Sequence, residues 1–582
     1  YGLSYFTRDR VDFYYPRYGS SYPNMMGGIG MLTEQGGIGA GRAVETNDGY
    51  VLSLRQRIFD HYTTSLATAR AAARNRAALL GYSMDAWTPA KTQTVSGRAA
   101  YLVAAEAGGY GTDFVRMLLL NGVRVEETTE AVSVAPDLDY RTGRAGARRE
   151  FPAGSYLVRT DQPRHLFVTN LLERNVAIDD SVMYDMAPWS APLAYNLDAY
   201  ALARVPPVRT RPVTEVDMPG KLAEIMDVPT YAYLIDWRQR NAPRALAELW
   251  RRGYRVRAAR APFTSGGREY SAGSLIVLRG RNLERGDSLR ADMRAVADLA
   301  GVTVIAAPTG RLTTGDDLAS TRNVPVKQPR VAMLVEPPFD TYTSGQVYFL
   351  FDQETRLPVE RIRTSVFRQT SLPKFGLRYG YADLKDYDVL ILPDGGGALK
   401  ELFGKAQRDE LMAWVRGGGT IVALEEAAHL FTTDSGLTKI KLTGPQNVAD
   451  SLTAELAYAD REQFFGQRRI PGSALRAPVD VTHPLAFGVK PEVFTLKFGA
   501  RGLQPGGDLQ SVGTYHPAAD ELLTAGYASR ENLDSLAGKT WAGVYPLGEG
   551  RVVLLLDNPH YRMFWRGPSR MMQNAVMLVP GF

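Results

Sequence analysis

One pattern occurs twice along the 582 residues, and it limits the possible folds more than any other feature. AAYLVAAEAGG at 99–109 runs into a helix-forming stretch and then NGVRVEET at 121–128. AYLIDWRQRNA at 232–242 runs into a similar stretch and then RGYRVRAA at 252–259. Each copy continues to a matching segment, EFPAGSYLV at 150–158 and EYSAGSLIV at 269–277. The order strand, helix, strand, connection, AGS-strand, helix predicts βαβ-like units. They form either two related α/β modules or one sheet built by duplication. Between the copies, 205–229 carries Pro206, Pro207, Pro212, Pro219 and Pro229 and reads as a linker.

After Pro325 the pattern changes. VAMLVEP at 331–337 and YDVLILPDGGG at 387–397 read as buried strands, the second ending in a glycine turn. A helix near 407–416 leads through RGGGTIVAL into a third strand. GKTWAGVYPLGEGRVVLLLDN reads as two strands joined by a glycine turn, followed by a final helix near 567–578. Strands alternating with helices predict a doubly wound, mostly parallel sheet. At the other end, residues 1–50 read as loops and short strands. Residues 50–81 read as one long Ala/Arg/Leu helix with Gly81 as its stop. The expected fold is α/β in four parts: 1–85, a first module at 86–204, a linker and second module at 205–325, and a flavodoxin-like domain at 326–582.

Composition excludes several chemistries. The chain has no cysteine, so thiolate nucleophiles, Cys-ligated zinc, iron–sulfur clusters and disulfides are ruled out. The net charge of +6 is spread over scattered residues with no block of five Lys/Arg, so no nucleic-acid footprint is indicated. No apolar run approaches the roughly 20 residues that a transmembrane helix needs. The glycine runs at 395–397 and 417–419 are not followed by G-K-[ST] and are not phosphate loops.

DFYYPRYGSSYPNMMGGIGMLTEQGG at 12–37, with the helix that follows it, resembles the end of the catalytic domain of bacterial zinc carboxypeptidase-like proteins. The resemblance rests on Tyr18-Gly19, Ser21-Tyr22-Pro23, Gly28-Ile29-Gly30-Met31 and Glu34-Gln35, and covers about residues 1–85. It implies that Glu34, near the end of a strand, is the carboxylate that takes a proton from a zinc-bound water. It also implies that Tyr15, or else Tyr14 or Tyr18, closes over substrate. The family's zinc ligands, an H-x-x-E pair and a later His, would lie upstream. None of His61, His165, His429, His483, His516 and His560 is followed by Glu three residues later. This chain is therefore expected to carry no metal ligand and no cofactor. Zinc is expected only if an upstream half is present, and by itself the chain should be inactive as a peptidase. Opening at YGLSYFTRDR with neither Met nor signal peptide, it is expected to continue a longer, exported precursor, secreted or periplasmic. Its expected partners are that upstream half, cleaved or outside the present sequence, and further copies of itself. The alternative is a structural, assembly or ligand-binding protein derived from the same family.

The third region resembles glutamine amidotransferase-like domains. YDVLILPDGGG matches their oxyanion-loop strand, and GGGTIVALEEAAHLF matches the strand–elbow–helix that presents a nucleophilic Cys there. The elbow falls near Glu425, and Ala427 stands near the place of the expected glycine. Thiol chemistry is excluded, which leaves packing or binding. Glu425, Glu426 and His429 form E-E-x-x-H at a helix start, where i,i+3 and i,i+4 spacing would put them on one face. A metal site there is weighed against helix-terminal carboxylates with a local His pair. His560 in DNPHYR follows a strand and reads as a packed or hydrogen-bonded histidine.

Overall fold

The computed structural model describes residues 3, 16, 18–34, 41–89, 97–106, 108–175, 188–215, 221–223, 229–286, 288–364, 384–396, 399–444 and 456–582. The two copies of the repeat form two separate six-stranded sheets. In the first, the AGS-strand Tyr156–Arg159 lies between Ala100–Val103 and Val125–Thr128 and is antiparallel to both. In the second, Leu275–Leu278 lies in the same way between Ala232–Ile235 and Val256–Ala258. The βαβ-like reading is corrected accordingly. The two strands flanking each helix run parallel, but the returning AGS-strand separates them.

The AGS residues explain this shared arrangement. Gly154 and Gly273 have φ of +88° and +84°, a turn conformation that costs a residue with a Cβ. The serines that follow are fully buried. Ser155 Oγ accepts a hydrogen bond from the Ala105 N–H at 3.1 Å, and Ser274 Oγ from the Trp237 N–H at 3.2 Å. In both copies the serine holds the backbone where the first strand leaves the sheet.

The segment read as a linker is partly strand. Thr210–Val213 pairs antiparallel with Val125–Thr128, and Lys221–Ala223 pairs parallel with Thr303–Ala307. Both are edge strands, where Pro212 can sit without removing a donor from the sheet interior.

The C-terminal unit contains a nine-stranded sheet. Glu360–Arg363, Val331–Val335, Val389–Leu392, Thr420–Leu424 and Gly550–Leu555 follow one another in parallel, and Thr540–Leu547 then turns antiparallel. Successive strand residues enter opposite cores, as the two-residue period requires. Met333, Ile391, Val422 and Val553 join one apolar cluster, while Leu334, Leu390, Ile421 and Leu554 join another. Both faces are thus covered, and this explains the continuous apolar strands. The first of these clusters also contains Tyr233, Ile235, Leu246 and Val304 of the second module, so the two units share one core. A three-stranded sheet, Leu523–Ala525, Pro471–Pro478 and Glu492–Phe498, places Ala474, Phe494 and Leu496 in the core of the first module.

Near the N-terminus, the run read as one helix is a hairpin followed by two helices. Ala43–Glu45 pairs with Val51–Ser53, and Ser53 Oγ accepts from the Gln56 N–H at 3.2 Å. Leu54–Arg74 and Arg76–Ala86 meet at Asn75, so Gly81 lies inside the second helix and does not end it. In the first helix only Asp60 and Thr63 are buried.

Candidate functional site

Parallel strands in an open α/β sheet direct their C-terminal ends toward one edge, where ligand sites of such sheets form. At this edge Thr420–Leu424 leads into Glu425, whose backbone turns left-handed with φ +50°. A non-glycine residue there is strained, which is the hallmark of an elbow that lifts one side chain clear of the sheet. Glu425 Oε2 accepts hydrogen bonds from Asn558 Nδ2 at 3.0 Å and Thr343 Oγ1 at 3.3 Å. Asn558 Nδ2 also donates to Gln346 Oε1 at 2.8 Å, which fixes the amide. Glu425 is half-buried because it borders a cavity, yet the surrounding protein strips most water from its carboxyl. This desolvation, reinforced by the charge of Asp394, pushes its pKa up to about 8 against the two hydrogen bonds.

Asp394 follows Val389–Leu392 in the neighbouring turn. Its Oδ1 accepts from the Gly395 and Glu426 N–H groups at 2.8 and 3.1 Å. Burial still raises its pKa, the backbone donors oppose this, and Asp340 adds repulsion. Together these carboxyls border a cavity of about 480 Å³. The lining also holds a buried ion pair, Lys497 Nζ to Asp557 Oδ1 at 3.0 Å, with side chains 3% and 2% exposed. The Tyr515 hydroxyl donates to Asp557 at 3.0 Å, and burial beside that carboxylate raises the phenol pKa.

Glu426 and His429 also border this cavity. They do not form the α-helical face expected from E-E-x-x-H. Glu425–Phe431 is a 3-10 helix, and Glu425 enters it with the wrong backbone hand, so α-helical i,i+4 spacing does not apply. Of the glycines at 417–419, Gly419 serves packing, whereas a Cβ on Gly418 would meet nothing within 4 Å. A Cβ on Gly419 would lie 2.4 Å from the Trp414 ring, and one on Gly550 would lie 2.0 Å from the Val415 carbonyl oxygen.

His560 belongs to a second polar cluster, formed between units. It is 1% exposed, and its Nδ1 is 2.7 Å from Ser569 Oγ. Burial lowers its pKa to about 3, outweighing Glu354 at 3.8 Å. Glu354 accepts from Arg240 at 2.5 Å and Arg566 at 2.6 Å, and Arg240 donates to Asp113 at 2.6 Å. Despite burial, these arginines and the histidine hold the pKa of Glu354 down at about 2. The cluster escapes a reading along the chain, because Asp113, Arg240, Glu354 and Arg566 lie more than 100 residues apart in sequence and no local motif contains two of them.

The residues carried over from the carboxypeptidase resemblance are placed differently. Tyr15 and Tyr14 lie outside the described residues. Tyr18 is described, with Arg562 5.9 Å from its ring centre. Glu34 is exposed and lies in an irregular stretch, not at the end of a strand. That stretch packs on the preceding turn: Gly30 N–H donates to Asn24 Oδ1 at 2.7 Å, and a Cβ on Gly30 would meet the Ser20 carbonyl oxygen at 1.7 Å. Glu34 does not border the elbow cavity. Zinc does not fit this donor set. Among the described residues no three His, Cys, Asp or Glu side chains are grouped to hold a metal ion. His165 Nε2 is already 2.9 Å from the Ala86 carbonyl oxygen, and His483 Nδ1 accepts from the Leu485 N–H.

Among the described residues no helix is long and apolar enough to cross a membrane. No protein-family model matches the chain, and no curated protein matches it. Solved structures with glutamine amidotransferase-like folds match about two fifths of it. PurLQS from Thermotoga maritima is 12% identical over 43% of this chain and 97% of its own, with a TM-score of 0.28. A glutamine amidotransferase from the same organism is 10% identical over 43% and 96%, with a TM-score of 0.26. A ThuA-like protein from Parabacteroides merdae is 10% identical over 43% and 92%, with a TM-score of 0.27.

Proposed function

We propose that the chain is a non-catalytic, ligand-binding and structural part of an exported zinc carboxypeptidase-like protein. In this reading any peptidase chemistry belongs to a metal-bearing segment upstream, and the elbow cavity binds without forming a covalent intermediate. The carrying observation is Glu425. The elbow and its cavity are built, but the side chain presented is a carboxyl hydrogen-bonded to Asn558 and Thr343, in a chain without a single cysteine. A thiol nucleophile attacks a carbonyl as its thiolate, whereas a carboxyl held protonated by its surroundings is a poor nucleophile. The carboxypeptidase context is supported by the sequence resemblance around Glu34.

The test is hydrolysis. The 582-residue chain is incubated with L-glutamine and with short peptides, with and without Zn²⁺, alongside a longer chain that includes an upstream H-x-x-E segment. We expect no ammonia and no released C-terminal residue from the shorter chain, and peptide trimming by the longer one. Hydrolysis by the shorter chain that disappears in Glu425→Gln or Glu34→Gln would overturn the reading.

A further inference from the structure

Among the described residues, most of the large apolar side chains left exposed lie within residues 22–87. The helix Leu54–Arg74 is built inside out. Leu54, Ile58 and Tyr62 follow at four-residue steps and share a face, Phe59 stands beside them, and all four are exposed. The residues this helix buries are the polar Asp60 and Thr63. From Thr68 through the second helix to Tyr82, every residue but Leu79 is exposed. So bare a helix is marginal in water, because helices in proteins draw most of their stability from packing an apolar face. Trp87 Nε1 donates to the Met26 carbonyl oxygen at 2.8 Å, so the turn leading to the exposed Met31 and Leu32 is tied to the end of the second helix.

Charge and shape narrow the occupant of this surface. Arg55, Arg70, Arg74 and Arg76 are exposed along the two helices, whereas of their acidic residues Asp60 is buried and only Asp85 is exposed. A complementary partner is therefore acidic around an apolar centre. A second copy fits poorly. The helices together run about 50 Å, so a strip about 10 Å wide would bury about 1,000 Å² over two copies, the least that a specific pair needs. It would also set arginine against arginine. A flat bilayer fits poorly too. Leu80 and Tyr82 are both exposed but stand two residues apart, so they leave the helix on different sides. A globular segment can wrap both.

We infer that these helices are the docking surface for the metal-bearing segment of the longer protein, which packs on them through an apolar patch rimmed by Asp and Glu. The inference rests on the reading proposed above and adds the place where the two parts meet. The helices fall within the part of the chain that carries the peptidase resemblance.

The experiment is hydroxyl-radical footprinting of the 582-residue chain and of the longer chain with the H-x-x-E segment. Phe59, Tyr62 and Met84 should be labelled at least about fivefold less in the longer chain, as side chains at an interface core are. Tyr342 and Tyr458, exposed elsewhere, should be labelled equally in both. Ile58→Glu with Tyr62→Glu should leave the thermal transition of the shorter chain unchanged and restore labelling of Phe59 and Met84 in the longer one. The two unaltered chains decide the matter even if that variant of the longer chain does not fold. Equal labelling of Phe59, Tyr62 and Met84 in both chains would overturn the assignment. So would protection of the longer chain that appears only as protein concentration rises, which points to a second copy, or only on phosphatidylcholine–phosphatidylglycerol vesicles, which points to lipid. Peptide trimming by a longer chain whose helices stay labelled would remove the docking surface and leave the peptidase reading. Protected helices in a longer chain that trims no peptide would do the reverse.

Discussion

Glu425 combines a left-handed backbone with a carboxyl short of water, and its protonation has a definite consequence for stability. Its pKa in the folded chain is about 8, above the ordinary value of 4.5. Between those values the folded state keeps the proton and the unfolded state does not. The stability contribution is fully present below about pH 4.5 and is lost as pH rises through about 8. Glu425→Gln removes the penalty, so its stability relative to the unaltered chain should rise over this window by up to a few kcal/mol. Urea unfolding at pH 5 and pH 8.5 checks this, and parallel pH dependence in the two proteins would count against it. Lys497 and Asp557 offer a second test. Lys497→Met leaves the buried Asp557 carboxylate with the Tyr515 hydroxyl and no cation and should cost about 3–5 kcal/mol, whereas adding Asp557→Leu should recover only part of the loss because it strands that hydroxyl. The elbow position was legible in the sequence because strand, turn and helix are contiguous. Its partners were not: Thr343, Asn558 and Lys497 reach the site from distant segments, and no periodicity pairs them with it.

At the scale of elements, the repeat was legible and its strand order was not. Matching AGS segments identify equivalent strands, but which strands become neighbours depends on pairings made across the sheet. The two AGS glycines differ in a measurable way. A Cβ on Gly154 would meet nothing nearer than 3.7 Å, whereas one on Gly273 would lie 2.8 Å from the Trp237 ring. Gly154→Ala should cost about 1–2 kcal/mol from its backbone alone. Gly273→Ala should cost about 1–3 kcal/mol more through overpacking. Equal losses in chemical denaturation would show that the Trp237 contact yields. The long N-terminal helix shows the limit of propensity. Ala, Arg and Leu favour a helix throughout 54–86, but they do not reveal the break at Asn75.

Across the whole molecule, the units are joined by shared cores and by the cluster around Arg240. Asp113 comes from the first module, Arg240 from the second, and Glu354, His560 and Arg566 from the C-terminal unit. Acid should weaken this junction for two reasons of the same sign. Glu354, depressed to about 2, stabilises fully above about pH 4.5 and loses its contribution as pH falls through 2. His560, depressed to about 3, is held neutral, and its contribution is lost as pH falls from about 6.5 through 3. His560→Asn should therefore flatten the loss of thermal stability between about pH 6 and pH 4. An unchanged slope would remove His560 from the account. The central claim concerns the neighbouring elbow at Glu425, which holds a protonated carboxyl that does not attack. Infrared difference spectroscopy between the chain and its Glu425→Gln variant tests it most directly. We expect a protonated-carboxyl band assigned to Glu425 at pH 7 that fades as pH passes about 8. A Glu425 carboxylate already ionised at pH 6 would contradict the account.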